Sequence, residues 1–261
     1  MILKKLKFII KSSIFLTIIF DYLISKTGLS FENEYRIIKI INKKKPLIID
    51  IGAHTGESIK NFLKFNKKSR IIAFEPISKN FEIIKKYSKN NKNIRTINKA
   101  VTNSNSKLFI FVPYLCGYSL DSLSSIAIED LKKRINHFFN IPLKKFKIKK
   151  ILIKTTKIDN FNFKPDLIKI DTEGSEYNSL ISAKNTISKN NPIIIIEYNY
   201  NNYFKIEKFL NKLRYKPFVF NNNKIISLQK REKLKIKKDT NLINIIFLTK
   251  KYFYNIDNYN L

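Results

Sequence analysis

Cysteine occurs once, as Cys116, so an intrachain disulfide and a cysteine-based zinc cage are both excluded. A reducing interior is the expected setting for such a chain. Tryptophan is absent, methionine occurs once, and the 261 residues include five glycines and seven prolines. Histidine is limited to two positions, which argues against a histidine-based metal centre. No G-x-G-x-x-G run occurs, and no glycine-rich loop ends in Lys-Ser or Lys-Thr, so two common phosphate-binding turns are missing. A membrane-spanning run is missing from the N-terminus as well. The uncharged stretch from Ser12 to Phe20, between Lys11 and Asp21, is too short to cross a bilayer. No small-residue cleavage site follows it, which argues against a signal peptide.

Acidic residues are also scarce: 20 Asp and Glu stand against 51 Lys and Arg, a formal charge of +31. An excess of this size suggests an anionic partner, either nucleic acid or an acidic membrane face. Two features favour a compositional origin instead. The chain is saturated with Lys, Ile and Asn, as AT-rich coding would produce. Arg is rare beside Lys, although bidentate readout of phosphate or guanine favours Arg. Nucleic acid is therefore not the expected partner. Residues 1–24 are expected to form an amphipathic helix, packed on the core or on a second copy of the chain, or lying on a membrane surface. The protein is expected in the cytoplasm, at the membrane periphery if that helix binds lipid.

What the chain does contain is an alternation of apolar runs and helical patterns. After a second short helix near 31–42, "KKK" and Pro46 mark the end of a helical extension over residues 1–45. "LIIDI" (47–51) reads as a strand covered on both faces. Residues 57–66 carry Ile59, Phe62 and Leu63 at helical spacing. "RIIAFEP" (70–76) is a second strand, with Ser78 placed to cap a helix bearing Phe81, Ile84 and Tyr87. "IRTINKAV" (94–101) reads as a third strand and "KLFIFVP" (107–113) as an added one. The rhythm breaks over 114–152, which holds the polar stretch "CGYSLDSLSS", a helix through Ile128, Leu131, Ile135 and Phe138, and the basic run "KKFKIKK". It resumes with "DLIKIDTEG" (166–174), where Ser175 can cap a helix, and with "PIIIIEYN" (192–199). A helix face of Ile206, Phe209, Leu210 and Leu213 follows, and then a last strand in 242–250. This order implies an α/β fold over residues 46–261. A doubly wound, mostly parallel sheet is expected, with ligands beyond the carboxyl ends of its strands. The 114–152 segment is expected to select the substrate, its helix acting as a lid; a plain surface loop is the alternative.

The scarcity of glycine makes "DIGAHTGES" informative, since it places Gly52 and Gly56 directly after Asp50. Glycine at 52 lets the backbone turn sharply and approach a ligand; Gly56 allows close packing of the next helix. A carboxylate at this strand end would repel a pyrophosphate and suit a cationic amino group. A second acid, Glu75, ends the next strand, where doubly wound folds bind ribose hydroxyls. Together these residues describe a site for S-adenosylmethionine. His54 reads as lining of the cofactor loop, against the simpler role of a turn residue with positive φ.

The motifs "DIGAHTG", "AFEP", "NKAV", "TTKID", "LIKIDTEGSE" and "IIIIEYN" occur in the order found in FkbM-type methyltransferases, which the chain resembles over residues 46–200. The resemblance implies a class I, Rossmann-like, S-adenosylmethionine-dependent fold with an antiparallel last strand. It also implies methylation of oxygen, on hydroxyls of sugars, glycans, glycolipids or secondary metabolites. On this chain it makes Asp50, Gly52, Ala53, His54, Thr55 and Gly56 the cofactor turn, with Glu75 and Pro76 at the ribose. Ala100 and Val101 become adenine neighbours. Many class I enzymes hold the adenine amine with an acid after the third strand; here "AVTNS" leaves that contact to Thr102 or Asn103. Asp171, Glu173 and Gly174 would form the wall facing the substrate.

Asp171 is expected to accept the proton of the acceptor hydroxyl as the C–O bond forms. Glu173 and Glu197, at neighbouring strand ends, are expected to bind substrate hydroxyls. The three acids could alternatively hold a hard divalent cation, which is not expected, and Glu173 could merely stabilise the start of the following helix. The expected acceptor is a small molecule or glycan. An RNA or protein acceptor, or a non-catalytic binding domain, is the alternative. The chain lacks the N/D-P-P-Y/F signature of many amino-methylating enzymes. Homo-oligomerisation is compatible with every one of these readings.

Overall fold

The computed structural model describes residues 33–221, 224–228, 244–253 and 256. The helix expected over residues 1–24 lies outside them. Among the described residues no helix is long and apolar enough to cross a membrane. After a 3₁₀ helix, Asn33–Ile40, the larger of two compact units begins its alternation. It comprises residues 32–106 and 154–261; the smaller unit holds 107–153.

The first strand, β1 (Leu47–Ile51), is buried at all five positions and leads into α1 (Glu57–Phe65). Then come β2 (Arg70–Phe74), α2 (Ser78–Asn90), β3 (Ile94–Ile97) and β4 (Ala100–Val101). The smaller unit contributes β5 (Lys107–Leu115), β6 (Tyr118–Ser119) and α3 (Ile128–Phe138), and β7 (Phe146–Thr156) leads out of it. The larger unit continues with β8 (Leu167–Ile170), α4 (Glu176–Ser182), α5 (Lys184–Asn190), β9 (Ile193–Glu197) and α6 (Tyr200–Lys212). It closes with β10 (Lys216–Asn221), β11 (Lys224–Ser227) and β12 (Asn244–Leu248).

Eight of these strands form one sheet in the order β11-β10-β12-β9-β8-β1-β2-β3. The run from β3 to β9 is parallel, and β12 joins it antiparallel to β9. The chain moves outward from β1 through β2 to β3, then returns to the other side of β1 as β8. The strand order therefore reverses between β1 and β8, the place where doubly wound sheets have their ligand crevice, beyond the carboxyl ends of the strands. Side chains alternate between the faces. Ile49, Ile51, Ile168 and Ile170 join one apolar cluster with Leu180 and Leu210. Ile48 and Leu167 join the other, with Ile59, Phe62 and Ile84.

Three local expectations change, and strands appear where none was read. The predicted strand 94–101 is two: β3 stays in the large sheet, while β4 pairs with Thr155 and Thr156 of β7. Asn98 sits at the break and donates to the carbonyls of Glu75 and Pro76, at 2.9 and 3.1 Å. The basic run 144–150, given no element by the sequence reading, is largely strand, and the β10–β11 hairpin was not read from sequence at all. Ser78 begins α2 without capping it; the Ile77 N–H, at the cap position, donates instead to Glu75 Oε1 at 2.9 Å. Ser175 occupies the cap position of α4, but its side chain makes no capping bond.

Within the smaller unit β5 and β6 form an antiparallel hairpin and β7 lies beside β5. Leu115, Leu120, Leu123, Leu131, Ile135, Ile141 and Phe146 give it a core of its own. Of the predicted helix face Leu131 and Ile135 are buried, whereas Phe138 is half exposed.

Candidate active site

The turn after β1 is held by backbone bonds. The N–H groups of Gly52 and Ala53 both donate to the Phe74 carbonyl at 3.0 Å. Gly52 has φ +84°, and a Cβ there would lie 1.7 Å from the carbonyl oxygen of Asp171. The missing side chain thus serves the close approach of the β1 and β8 tips, where the sequence suggested approach to a ligand. Gly56 behaves as expected: a Cβ would lie 2.8 Å from the Tyr87 ring, so its absence lets α1 and α2 pack. His54 takes φ +46°, a left-handed conformation that few non-glycine residues adopt. Its N–H donates to Glu75 Oε2 at 2.9 Å, and its ring Nδ1 lies 3.4 Å from Thr55 Oγ1. Ala53 is buried.

Glu75, also buried, therefore organises two elements at once. One carboxylate oxygen holds the N–H of the left-handed His54 and the other the start of α2. A carboxylate offers about four lone-pair directions. Two are taken by these N–H groups.

Asp50 has no exposed surface. It accepts a hydrogen bond from Ser58 Oγ on α1, and its Oδ1 lies 3.9 Å from Lys169 Nζ. Asp50 therefore faces a lysine of the protein itself. Strand register pairs Asp50 with Lys169 across β1 and β8. Lys169 in turn donates to Asp171 Oδ2 at 2.9 Å.

Asp171 is the first residue beyond β8, and its side chain is about one-third exposed. It converges with Glu173 and Glu197: one carboxylate oxygen from each lies within 4.8 Å of the others. All three are half-buried. Glu173 takes φ +55° and Gly174 φ +105°, so this tip, like that of β1, carries a non-glycine residue in the left-handed region. Such a conformation costs about 1–3 kcal/mol and persists where its surroundings impose it. Here the surroundings centre on Glu176, fully buried, rather than on Glu173 as a helix-start acid. Glu176 Oε1 accepts from the Gly174 N–H at 2.6 Å and from Thr172 Oγ1 at 3.4 Å. Its Oε2 accepts from Asn202 Nδ2, which also donates to the Gly174 carbonyl.

Replacing Glu176 by alanine would strand these buried donors, and is expected to lower unfolding free energy by about 3 kcal/mol. Glu176→Gln keeps one acceptor oxygen and should lose about half as much. Urea denaturation of the two variants measures the difference; equal losses would remove the turn-fixing role.

The remaining expected residues are more dispersed in function. Val101 packs in the apolar core, and its carbonyl accepts from Ser179 Oγ at 2.8 Å. Ala100 is half-buried beside it in β4. Thr102 turns its hydroxyl to the Ser104 carbonyl, while Asn103 is exposed. Sequence reasoning did not single out Ser58, Lys169, Glu176, Asn98 or Asn202. A signal existed for Lys169: a charged residue in the middle of "LIKI", a run buried at every position, demands a buried partner.

The anionic lining of the crevice suits a cationic sulfonium nucleoside better than a phosphate ligand, by simple charge complementarity. The family model described as "Methyltransferase FkbM domain" matches residues 50–217. Among solved structures, the FkbM methyltransferase of Methylobacillus flagellatus is similar at 17% identity and a TM-score of 0.50, over 78% of this chain. This chain spans 44% of that protein's length. An S-adenosylmethionine-dependent O-methyltransferase of Thermotoga maritima is 10% identical, covering 91% of this chain and 71% of its own, with a TM-score of 0.45. A precorrin-6y C5,15-methyltransferase of Geobacter metallireducens is 12% identical, covering 86% and 92%, with a TM-score of 0.44. No curated protein matches.

Proposed function

The chain belongs to the FkbM methyltransferase family, and from that premise we propose that it transfers a methyl group from S-adenosylmethionine to a hydroxyl oxygen of a sugar or glycan. When bound, the cofactor supplies an electrophilic methyl carbon on a sulfonium whose sulfur takes the C–S electron pair. Glu75 and the turn from Gly52 to Gly56 would hold its nucleoside. The protein's part in the chemistry is positioning and charge management. Asp171 takes the proton that leaves the acceptor hydroxyl, and Glu173 and Glu197 accept hydrogen bonds from neighbouring hydroxyls.

The observation that carries this reading is the convergence of Asp171, Glu173 and Glu197 within 4.8 Å. Three carboxylates facing the acceptor favour a neutral, hydroxyl-rich molecule. They repel the phosphates of RNA, whatever attraction the lysine-rich surface exerts.

Incubation with tritium-labelled methyl donor and two panels tests the proposal: neutral oligosaccharides and glycolipids in one, tRNA and basic peptides in the other. Label should appear in the first panel. Label confined to the second would sink the reading. The same three acids could instead hold a divalent cation, and the assay separates the two. Lys169 already places positive charge beside Asp171, so transfer is expected to survive EDTA. Loss of transfer with EDTA, restored by Mg²⁺ or Mn²⁺, would move the acids from proton handling to cation binding.

A further inference from the structure

Lys169 has no obvious place in a strand covered on both faces, where its neighbours Leu167, Ile168 and Ile170 are fully buried. Its residue is 3% exposed. An ammonium is not stably buried unless opposite charge and hydrogen bonds accompany it. Both are present, and they are ordered. Strand pairing sets Lys169 opposite Asp50, and the two-residue period of a strand puts Asp171 on the same face. Asp50 is anchored in turn by Ser58 on α1. A row of four side chains thus runs from the α1 packing surface to the crevice: Ser58, Asp50, Lys169, Asp171. Ser58 is buried as well, and from Asp50 exposure rises toward the crevice, from 0% there and 3% at Lys169 to 34% for the Asp171 side chain.

We propose that Lys169, anchored by Asp50 and Ser58, is a positioning residue of methyl transfer that holds Asp171 Oδ2 and leaves Oδ1 for the acceptor hydroxyl. The inference rests on the methyltransferase reading above. It gives Asp50 a role through Lys169 rather than as a ligand of the cofactor's amino group. As the acceptor oxygen takes the methyl group its O–H bond breaks, and the proton passes to Asp171 Oδ1. Lys169 keeps its own proton throughout. Its charge offsets the repulsion that Glu173 and Glu197 exert on Asp171, so the carboxylate stays aimed rather than swinging away from its neighbours.

Lys169→Met alone would leave the enclosed Asp50 carboxylate without its cation and could prevent folding. The test therefore uses Asp50→Asn/Lys169→Met, which removes both charges and nearly preserves volume, beside Asp50→Asn alone. Cofactor affinity is read by calorimetry with S-adenosylmethionine, and kcat and KM with the acceptor found in the labelling panel. The double variant should keep cofactor affinity and acceptor KM within about threefold while kcat falls about 100-fold, the loss expected of a misplaced reacting group. Asp50→Asn should show the same pattern with a kcat loss of about tenfold. A role confined to stability would leave kcat unchanged in the folded protein. Turnover within about threefold of wild type in either variant would overturn the inference, as would cofactor binding weakened about tenfold by Asp50→Asn alone. Failure of the wild-type chain to bind S-adenosylmethionine overturns the methyltransferase reading itself, and the wild-type calorimetry reads that outcome separately.

Discussion

Asp171→Asn is expected to bind S-adenosylmethionine within about threefold of wild type and to transfer methyl groups about 10²- to 10⁴-fold more slowly. The substitution is close to isosteric. The amide oxygen can still accept from Lys169, and the backbone contact with Gly52 is untouched. What disappears is the ability to take a proton. Loss of a positioned general base corresponds to about 3–5 kcal/mol of barrier. Asp171 earns this expectation by its place: it follows β8 at the point of strand-order reversal, partly exposed, with its backbone N–H fixed on the Ile51 carbonyl at 3.0 Å. Calorimetry and initial rates with the labelled donor check both halves. An Asn variant that turns over normally would remove Asp171 from proton transfer and leave the acidic group as a binding surface only.

The path from sequence to site was legible where one physical requirement dominated. β1, β8 and β9 are runs of Ile and Leu that each carry a single charged residue, a composition that marks strands covered on both faces. The two acids at adjacent strand tips, Asp50 and Glu75, could likewise be placed from the alternation alone. Misreadings arose where two requirements competed. β7 alternates poorly: Phe146 and Ile148 are followed by two lysines before Ile151 and Ile153, so its period slips by one residue and the lysine-rich half looks solvated. The "NK" between β3 and β4 looked like strand continuation, but Asn98 spends its side chain on the Glu75 and Pro76 carbonyls and turns the chain. Helix starts were assigned to the hydroxyls of Ser78 and Ser175, whereas buried glutamates at 75 and 176 secure the N–H groups beside them. The direction of the Asp50 carboxylate was beyond sequence reasoning of that kind. The register that sets it opposite Lys169 depends on a strand more than 100 residues away in sequence.

Gly52→Ala should be far more damaging than the same change at Gly56 or Gly117, and the reason is geometric. An added Cβ would sit 1.7 Å from the Asp171 carbonyl oxygen and 2.8 Å from its carbon. Both belong to backbone that cannot rotate aside, because the Asp171 N–H is bonded to Ile51 and the Gly52 N–H to Phe74. Relief requires parting the tips of β1 and β8, the two strands that create the crevice. To this is added the left-handed conformation, φ +84°, which costs an alanine about 1–2 kcal/mol. The total is expected to exceed about 4 kcal/mol, a range reached by few single substitutions. Gly117→Ala provides the contrast: φ is +85° there, yet nothing lies within 4 Å of the added carbon, so only the conformational part should be lost. Denaturation midpoints of the two variants separate the terms. If Gly52→Ala cost no more than Gly117→Ala, the strand tips would be free to part, and the crevice would lack the rigid frame on which the alignment of Asp171, Glu173 and Glu197 depends.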